Sequence, residues 1–418
     1  MSQLRSSLGG VLGALMLIHQ GCASGSLPPA ATPATQPQPS RPHAPAQPAL
    51  PVPAAVDPEA KEFPYPYPVQ FLPLQSQGQT LRMAYMDVSA ASATPPSAAG
   101  GPPAAAAAPA TVPPPAPTVS PTAPEGAAEQ PANPGEPPAG QAQTQGPAAD
   151  SSGRCAVLLH GKNFSASAWK STIELLTQHG FRVIAPDQIG FGKSSKPGNY
   201  QYSFAQLAHN TRGLMESLKL SRCTVIGHSM GGMLAIRYAL LFPAATERLI
   251  LVNPIGLEDY SVFVPYRTVD EWYADELKQT PESIREYQRT SYYGGTWNPA
   301  YEEQIQLSAG FTRHPDYARV AWVSALLYDM IYTQPVVNDL PRLRVPTRLI
   351  IGIRDRTAVG RKYALPQSAA ALGDYTQLGK HARDLVPGAQ LIELAGVGHV
   401  PQVEAFSAYR DALLTFLR

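Results

Sequence analysis

Charge of one sign is what this chain has least to spare. Its 32 Lys and Arg residues stand against 31 Asp and Glu, a formal net charge of +1, with no basic cluster to break the balance. That excludes the electrostatic footprint of a nucleic-acid binder. Cysteine is scarce as well, with three residues, Cys22, Cys155 and Cys223. No Cys/His spacing suits zinc, so no metal is expected. Gly190-Phe-Gly-Lys-Ser-Ser195 lacks the third glycine of a phosphate-cradling loop, and no cofactor is expected either. The apolar run Val11–Ile18 is too short to cross a bilayer, which takes about 20 residues. It follows a single basic residue, Arg5, and suits the apolar core of a signal peptide.

Proline is what the chain has in excess, 45 residues concentrated in two tracts. Residues 1–23 read as a signal peptide. Cys22, between Gly21 and Ala23-Ser-Gly-Ser26, is similar to a bacterial lipoprotein lipobox, although His19 and Gln20 replace the usual Leu and small residue. Cys22 is therefore a candidate lipidation site and membrane tether, and export to the bacterial periplasm or cell envelope is expected. An uncleaved apolar N-terminus or a misassigned start is the alternative. Residues 24–62 are Pro/Ala-rich, with almost no bulky apolar groups between 24 and 60. They cannot bury enough surface to fold and read as a disordered, semi-rigid tether. In 63–88, two strand-like runs, Val69–Leu74 and Gln79–Asp87, flank a turn at Gly78 and read as a hairpin. Residues 89–153 form a second Pro/Ala/Gly-rich stretch. Loop closure costs little more as loops lengthen, so it reads as a disordered excursion within one domain.

The most telling stretch is Thr224-Val-Ile-Gly-His-Ser-Met-Gly-Gly232, which passes directly into Met233-Leu-Ala-Ile236. A β-branched run ends in Gly-x-Ser-x-Gly and enters a helix-favouring segment, which is how a strand–turn–helix nucleophile elbow reads. Ser229 would sit in strained backbone at a helix N-terminus, where N–H groups and the dipole favour developing negative charge. A serine hydroxyl needs a base to take its proton during attack. Histidine can accept that proton near pH 7 and return it to the leaving group, while a buried carboxylate fixes its tautomer.

Downstream, the apolar strand Arg348-Leu-Ile-Ile-Gly-Ile-Arg-Asp355 ends on a carboxylate, and Gln390–His399 is a strand followed by a Gly-rich loop carrying a histidine. Asp374 and Asp339 are alternatives to Asp355. His381 competes with His399 but lies in a polar helix-like stretch with no strand before it, and reads as surface. His160 and His228 read as structural neighbours of the site, and Asp187 as the cap of the turn at Gly190–Gly192.

His160-Gly-Lys162, Asp187-Gln-Ile-Gly-Phe-Gly-Lys-Ser194, Gly227–Gly231, Gly352-Ile-Arg-Asp-Arg-Thr357 and Gly398-His-Val-Pro401 occur in this order. In these motifs the chain resembles the α/β-hydrolase superfamily over residues 154–418, with the hairpin before that span. The resemblance implies an α/β fold: a mostly parallel sheet flanked by helices, with a helical lid inserted after the sixth strand. It divides 154–418 into a first core part (154–254), a helical cap (255–346) and a second core part (347–418). It implies Ser229 as nucleophile, His399 as base, Asp355 as orienting acid, and an oxyanion hole of the Met230 and Lys162 backbone N–H groups. In the family topology the strands opened by Cys155 and Cys223 are neighbours. An oxidising envelope would permit a bridge, yet bridges directly across parallel strands fit poorly, so two buried free thiols are expected.

Branches of the family that open epoxides or remove halides place Asp at the elbow, and this chain has Ser229. The branch that cleaves N-terminal proline has Trp after the serine, where this chain has Met230. A carboxylic ester hydrolase working through an acyl-enzyme is what remains. The cap is rich in aromatics, Trp272, Tyr292, Tyr293, Trp297, Trp322 and Tyr328 among them. Most are expected to pack the lid's own core, and a few to line a pocket for a small to medium apolar or aromatic ester-like substrate. The Lys162 ammonium is expected to reach the pocket mouth and favour negatively charged substrates. Two alternatives stay open: hydrolysis of a C–C, lactone, amide or thioester bond by the same triad, and a non-catalytic envelope binding module on a hydrolase fold.

Overall fold

The computed structural model describes residues 52–90 and 154–418. The signal peptide, Cys22, the first tract up to residue 51 and residues 91–153 lie outside the described residues. Strands β1 (Val69–Ser76) and β2 (Gln79–Val88) pair antiparallel. They turn through Gln77 and Gly78 at φ 51° and 70°, the backbone that matches strand twist in a two-residue hairpin. From there strand and helix alternate: β3 (Cys155–Leu159), α1 (Lys170–Gln178), β4 (Arg182–Pro186), α2 (Phe204–Ser217), β5 (Cys223–His228), α3 (Met230–Leu241) and β6 (Thr246–Val252). Four cap helices follow, α4 (Val269–Glu276), α5 (Pro281–Ser291), α6 (Pro299–Phe311) and α7 (Tyr317–Thr333). The chain closes with β7 (Thr347–Gly352), α8 (Tyr375–Leu385), β8 (Gln390–Leu394), α9 (Pro401–Glu404) and α10 (Phe406–Leu417).

The strands form one eight-stranded sheet in the order β1-β2-β4-β3-β5-β6-β7-β8, and those from β3 onward run parallel to one another. Both faces are covered. Val157 and Leu159 join the layer of Leu207 and Leu234 from α2 and α3, while Ala156 and Leu158 join that of Ile173 and Leu413 from α1 and α10. A strand that is apolar on both faces is what a parallel sheet between helix layers requires. Parallel strands also bring their C-terminal ends to one edge, and Lys162, Ser229, Asp355 and His399 follow β3, β5, β7 and β8 there.

Two expectations need correcting. Residues 52–62 were assigned to the tether, but Val56 and Ala60 are buried against Leu307 and Phe311 of α6. The Val56 N–H donates to the Gly310 carbonyl at 3.0 Å, and Glu59 pairs with Arg319 of α7 at 2.9 Å. A composition too poor to build a core can still add its few apolar groups to one already built. The second correction concerns Cys155 and Cys223, which form a disulfide with Cα atoms 4.9 Å apart. Pairing of Ala156 with Thr224 sets the two cysteines opposite each other at the first residues of β3 and β5. The β5–β6 register is irregular between Cys223 and Val225. The β3–β5 ladder itself begins only at Ala156 and Thr224, so the cysteines lie just outside it, and their spacing falls in the range a disulfide spans.

Candidate active site

Ser229 stands between β5 and α3 at φ 57°, ψ −122°, backbone that a side-chain-bearing residue adopts only at a cost of about 1–3 kcal/mol. The flanking glycines make the turn sterically possible. A Cβ on Gly227 would lie 2.2 Å from the Gly231 carbonyl oxygen, and one on Gly231 would lie 2.0 Å from that of Leu159. The Ser229 N–H donates to the Val252 carbonyl at 3.1 Å, and its own carbonyl accepts from Gly232 and Ile255. The strained residue is thereby held from both sides.

His399 lies over it, with Nε2 2.9 Å from Ser229 Oγ and Nδ1 2.6 Å from Asp355 Oδ2. A carboxylate accepts from Nδ1–H, which leaves the Nε2 lone pair to accept from the serine hydroxyl. Burial would raise the Asp355 carboxyl, but the adjoining His399 ring and hydrogen bonds from His399 and Thr357 hold it below the usual carboxylate range. Thr357 N–H donates to Oδ1 at 2.7 Å, and Asn253 Nδ2 donates to Oδ2 at 2.9 Å. The other acids are engaged elsewhere. Asp374 caps α8 and pairs with Arg356, and Asp339 pairs with Arg237 and Arg342. His381 is exposed on α8.

The loop after β3 packs on the serine, since a Cβ on Gly161 would sit 2.9 Å from Ser229 Cβ. Gln188 N–H donates to His160 Nε2 at 3.1 Å, which puts the ring proton on Nδ1 to donate to the Gly161 carbonyl at 2.9 Å. Burial lowers the pKa of His160 and keeps it neutral in that role. His228 Nε2–H donates to the His399 carbonyl at 2.8 Å. Burial, with His399 beside it, pushes His228 down to about 3, so it is a fixed neutral donor. Asp187 accepts from Lys193 N–H and Tyr65 OH, both at 2.7 Å, and from Ala166 N–H at 2.8 Å. It holds the glycine turn that follows it.

Comparison with known proteins places the fold. The family model described as alpha/beta hydrolase fold matches residues 157–317. The crystal structure of a probable hydrolytic enzyme from Pseudomonas aeruginosa PAO1 is similar over 88% of this chain and 99% of that one, at 44% identity and TM-score 0.71. The chain belongs to the α/β-hydrolase family. An uncharacterized protein of Mycobacterium tuberculosis is 41% identical over 106 residues, which span 25% of this chain and only 30% of that protein's length. A 2-hydroxy-6-oxo-2,4-heptadienoate hydrolase of Pseudomonas putida is 27% identical over 220 residues, 49% of this chain and 73% of that one.

The cap covers a cavity of about 970 Å³ that reaches Ser229. The cap aromatics divide. Tyr293, Trp297 and Tyr301 pack together, with Tyr293 and Tyr301 stacked at 3.7 Å, whereas Trp272, Tyr292 and Tyr328 line the cavity. Trp322 donates to the Gly198 carbonyl, tying α7 to the core. Tyr292 reaches furthest. Its ring lies 4.5 Å from that of His399, its carbonyl accepts from the His399 N–H at 3.3 Å, and its hydroxyl accepts from Asn163 Nδ2 at 2.8 Å. One cap residue thus touches His399 and the loop after β3. Sequence reasoning missed this role of Tyr292, and missed Asn253. Asn253 could have been suspected as an Asn at a strand end, where positive φ is tolerated (37° here). Among the described residues no cluster of His, Cys, Asp or Glu could hold a metal ion.

Proposed function

We propose that this hydrolase cleaves carboxylic esters through an acyl-enzyme on Ser229. The observation that carries the reading is the hydrogen-bonded chain from Ser229 Oγ through His399 to Asp355, at 2.9 and 2.6 Å. His399 takes the hydroxyl proton as Oγ attacks, then protonates the departing alcohol. Asp355 keeps the proton on Nδ1 and stabilises the imidazolium. The Met230 and Lys162 backbone N–H groups face the oxyanion, each contributing on the order of 3 kcal/mol to the transition state. Water then attacks the acyl-enzyme with His399 again as base.

The test is labelling of the purified protein by a fluorophosphonate, which phosphonylates the serine oxygen with loss of fluoride. Labelling of wild type that is absent in Ser229→Ala and His399→Ala is expected. A folded wild type that does not label refutes the acyl-enzyme. A second reading, hydrolysis of a C–C bond beside a ketone, is supported by the likeness to the heptadienoate hydrolase; turnover of a vinylogous oxo acid but of no ester would establish it. The Cys155–Cys223 bridge supports an oxidising compartment and hence export. Anchoring through Cys22 belongs to the same proposal, and palmitate incorporation that persists in Cys22→Ser would refute it.

A further inference from the structure

Lys162 leaves the loop that packs on Ser229 and sends its side chain along the cavity to the cap helix α7. Its Nζ donates to Ser324 Oγ at 2.8 Å and stands 3.5 Å from the centre of the Tyr328 ring, both on α7. It lies deep in the molecule yet is only half-buried, because it faces the cavity. Among the described residues its close polar partners are neutral. Glu276, at the end of α4, acts on it from beyond ion-pair distance. Burial lowers the lysine pKa and Glu276 counters that. The other cations lining the cavity are differently placed. Lys196 donates to the carbonyls of Gly192 and Ser194, Lys362 pairs with Asp275, Arg361 donates to the Arg356 and Leu372 carbonyls, and Lys170 is exposed. An ammonium that lines the same cavity as Ser229, held only by a hydroxyl and a ring face, can exchange those contacts for an anion.

We propose that the hydrolase takes esters whose acyl part carries a carboxylate, and that the Lys162 ammonium binds it. The inference rests on the serine-hydrolase reading, because the same residue's N–H would face the reacting carbonyl. One residue serving both ends limits the spacing: the carboxylate lies within a lysine side chain's length of the reacting carbon. Half-esters of short dicarboxylic acids have that shape. The carboxylate takes the place of Ser324 Oγ as the acceptor of the ammonium, and the Ser324 hydroxyl donates to its second oxygen. Glu276 disfavours a substrate anion placed too far toward α4, which reinforces the preference for short acids.

The experiment compares kcat/KM for monomethyl adipate, methyl hexanoate and methyl 6-aminohexanoate, which differ only in the terminal group, together with the shorter homologues of each. Wild type is expected to prefer the carboxylated ester at least 10-fold, with the difference in KM. Lys162→Met should bring that ratio to about 1, and Lys162→Arg should keep most of it. A preference for the neutral or aminated ester overturns the proposal, as does a Lys162→Met that lowers all three equally. Calorimetry on Ser229→Ala with the same ligands reads binding without turnover, and equal affinity for carboxylated and neutral esters also overturns it. Failure of fluorophosphonate labelling would refute the serine reading, and the calorimetric comparison would still decide whether Lys162 selects an anion.

Discussion

Removing the Asn253 side chain separates the positioning of Asp355 from its chemistry. Asn253 is buried where β6 ends and makes three hydrogen bonds: Nδ2 to the Gly352 carbonyl (3.1 Å) and to Asp355 Oδ2 (2.9 Å), and Oδ1 from the Gly352 N–H (2.8 Å). Its φ of 37° makes glycine the clean replacement, since no new strain is added. In Asn253→Gly the buried Gly352 N–H loses its acceptor and Asp355 loses a charge-assisted bond. Together these cost about 3 kcal/mol of stability. Asp355 keeps His399 and Thr357, so its charge survives while its orientation loosens. The second-order rate of fluorophosphonate labelling should fall about 10-fold, or about 1.4 kcal/mol of transition-state stabilisation. Asn253→Asp supplies the opposite sign. Wild-type Asp355, with its lowered folded pKa, contributes stability present above the unfolded value of about 4 and lost as pH falls through the folded value. A second carboxylate against Oδ2 raises the pair, so the variant loses stability as pH rises instead. Urea unfolding from pH 4 to 8 reads both. A Gly variant that is destabilised but labels at the wild-type rate would show that Asn253 only supports the fold, and the positioning role would be abandoned.

Glu258, 8% exposed and accepting from Gly373 N–H, is raised by burial to about 7. Since its folded pKa exceeds the unfolded one, stability falls as pH climbs toward 7. Glu258→Gln should therefore stabilise by about 3 kcal/mol at pH 8, as 1.4 kcal/mol per pKa unit implies, and by little at pH 4.5; an equal effect at both pH values in thermal melts would contradict the assignment. The Cys155–Cys223 bridge closes a loop with a sequence separation of 68, worth about 4 kcal/mol by loop entropy. Unreduced protein should resist alkylation at both cysteines, and reduction should lower the urea midpoint; free thiols by mass spectrometry would refute the bridge. In Gly310→Ala the new Cβ would lie 2.4 Å from Val56 and 2.7 Å from the Ala54 carbonyl. Tryptic cleavage after Lys61 should accelerate about 10-fold, a loss of about 1.4 kcal/mol of local protection; unchanged protection would mean that the 52–62 segment is held by other contacts.

What could be read from the sequence and what could not divide along a physical line. Gly227, Ser229 and Gly231 were legible because their constraint is local: a chain reversing so tightly has no room for a Cβ, whatever surrounds it. Asp355 and His399 were legible through the strands they follow, because a parallel sheet delivers its strand ends to one edge. The groups that orient them were not. Asn253 acts across two strand ends and Tyr292 from the turn after α5, more than a hundred residues before His399 in the chain, while His228, legible only as a neighbour of the site, acts through the His399 carbonyl. Each is a contact that forms only after the sheet has closed: Leu-Val-Asn-Pro shows an Asn at a strand end but not what it meets, and nothing in Ser-Tyr-Tyr-Gly marks the contact at all. The two corrections have the same origin. Composition measures whether residues 52–62 could fold alone, not whether α6 and α7 offer Val56 and Ala60 a place. The strand register set Cys155 against Cys223, yet the geometry of a regular ladder was a poor guide to the first residue of each strand. Lys162 shows the line most clearly. Its place after β3 was legible, and with it the backbone role proposed above, whereas its side chain's destination depended on Ser324 and Tyr328, which reach it from α7. If the carboxylate selectivity is found, the residue that sets it will have been assigned by the cap rather than by the motif in which it stands.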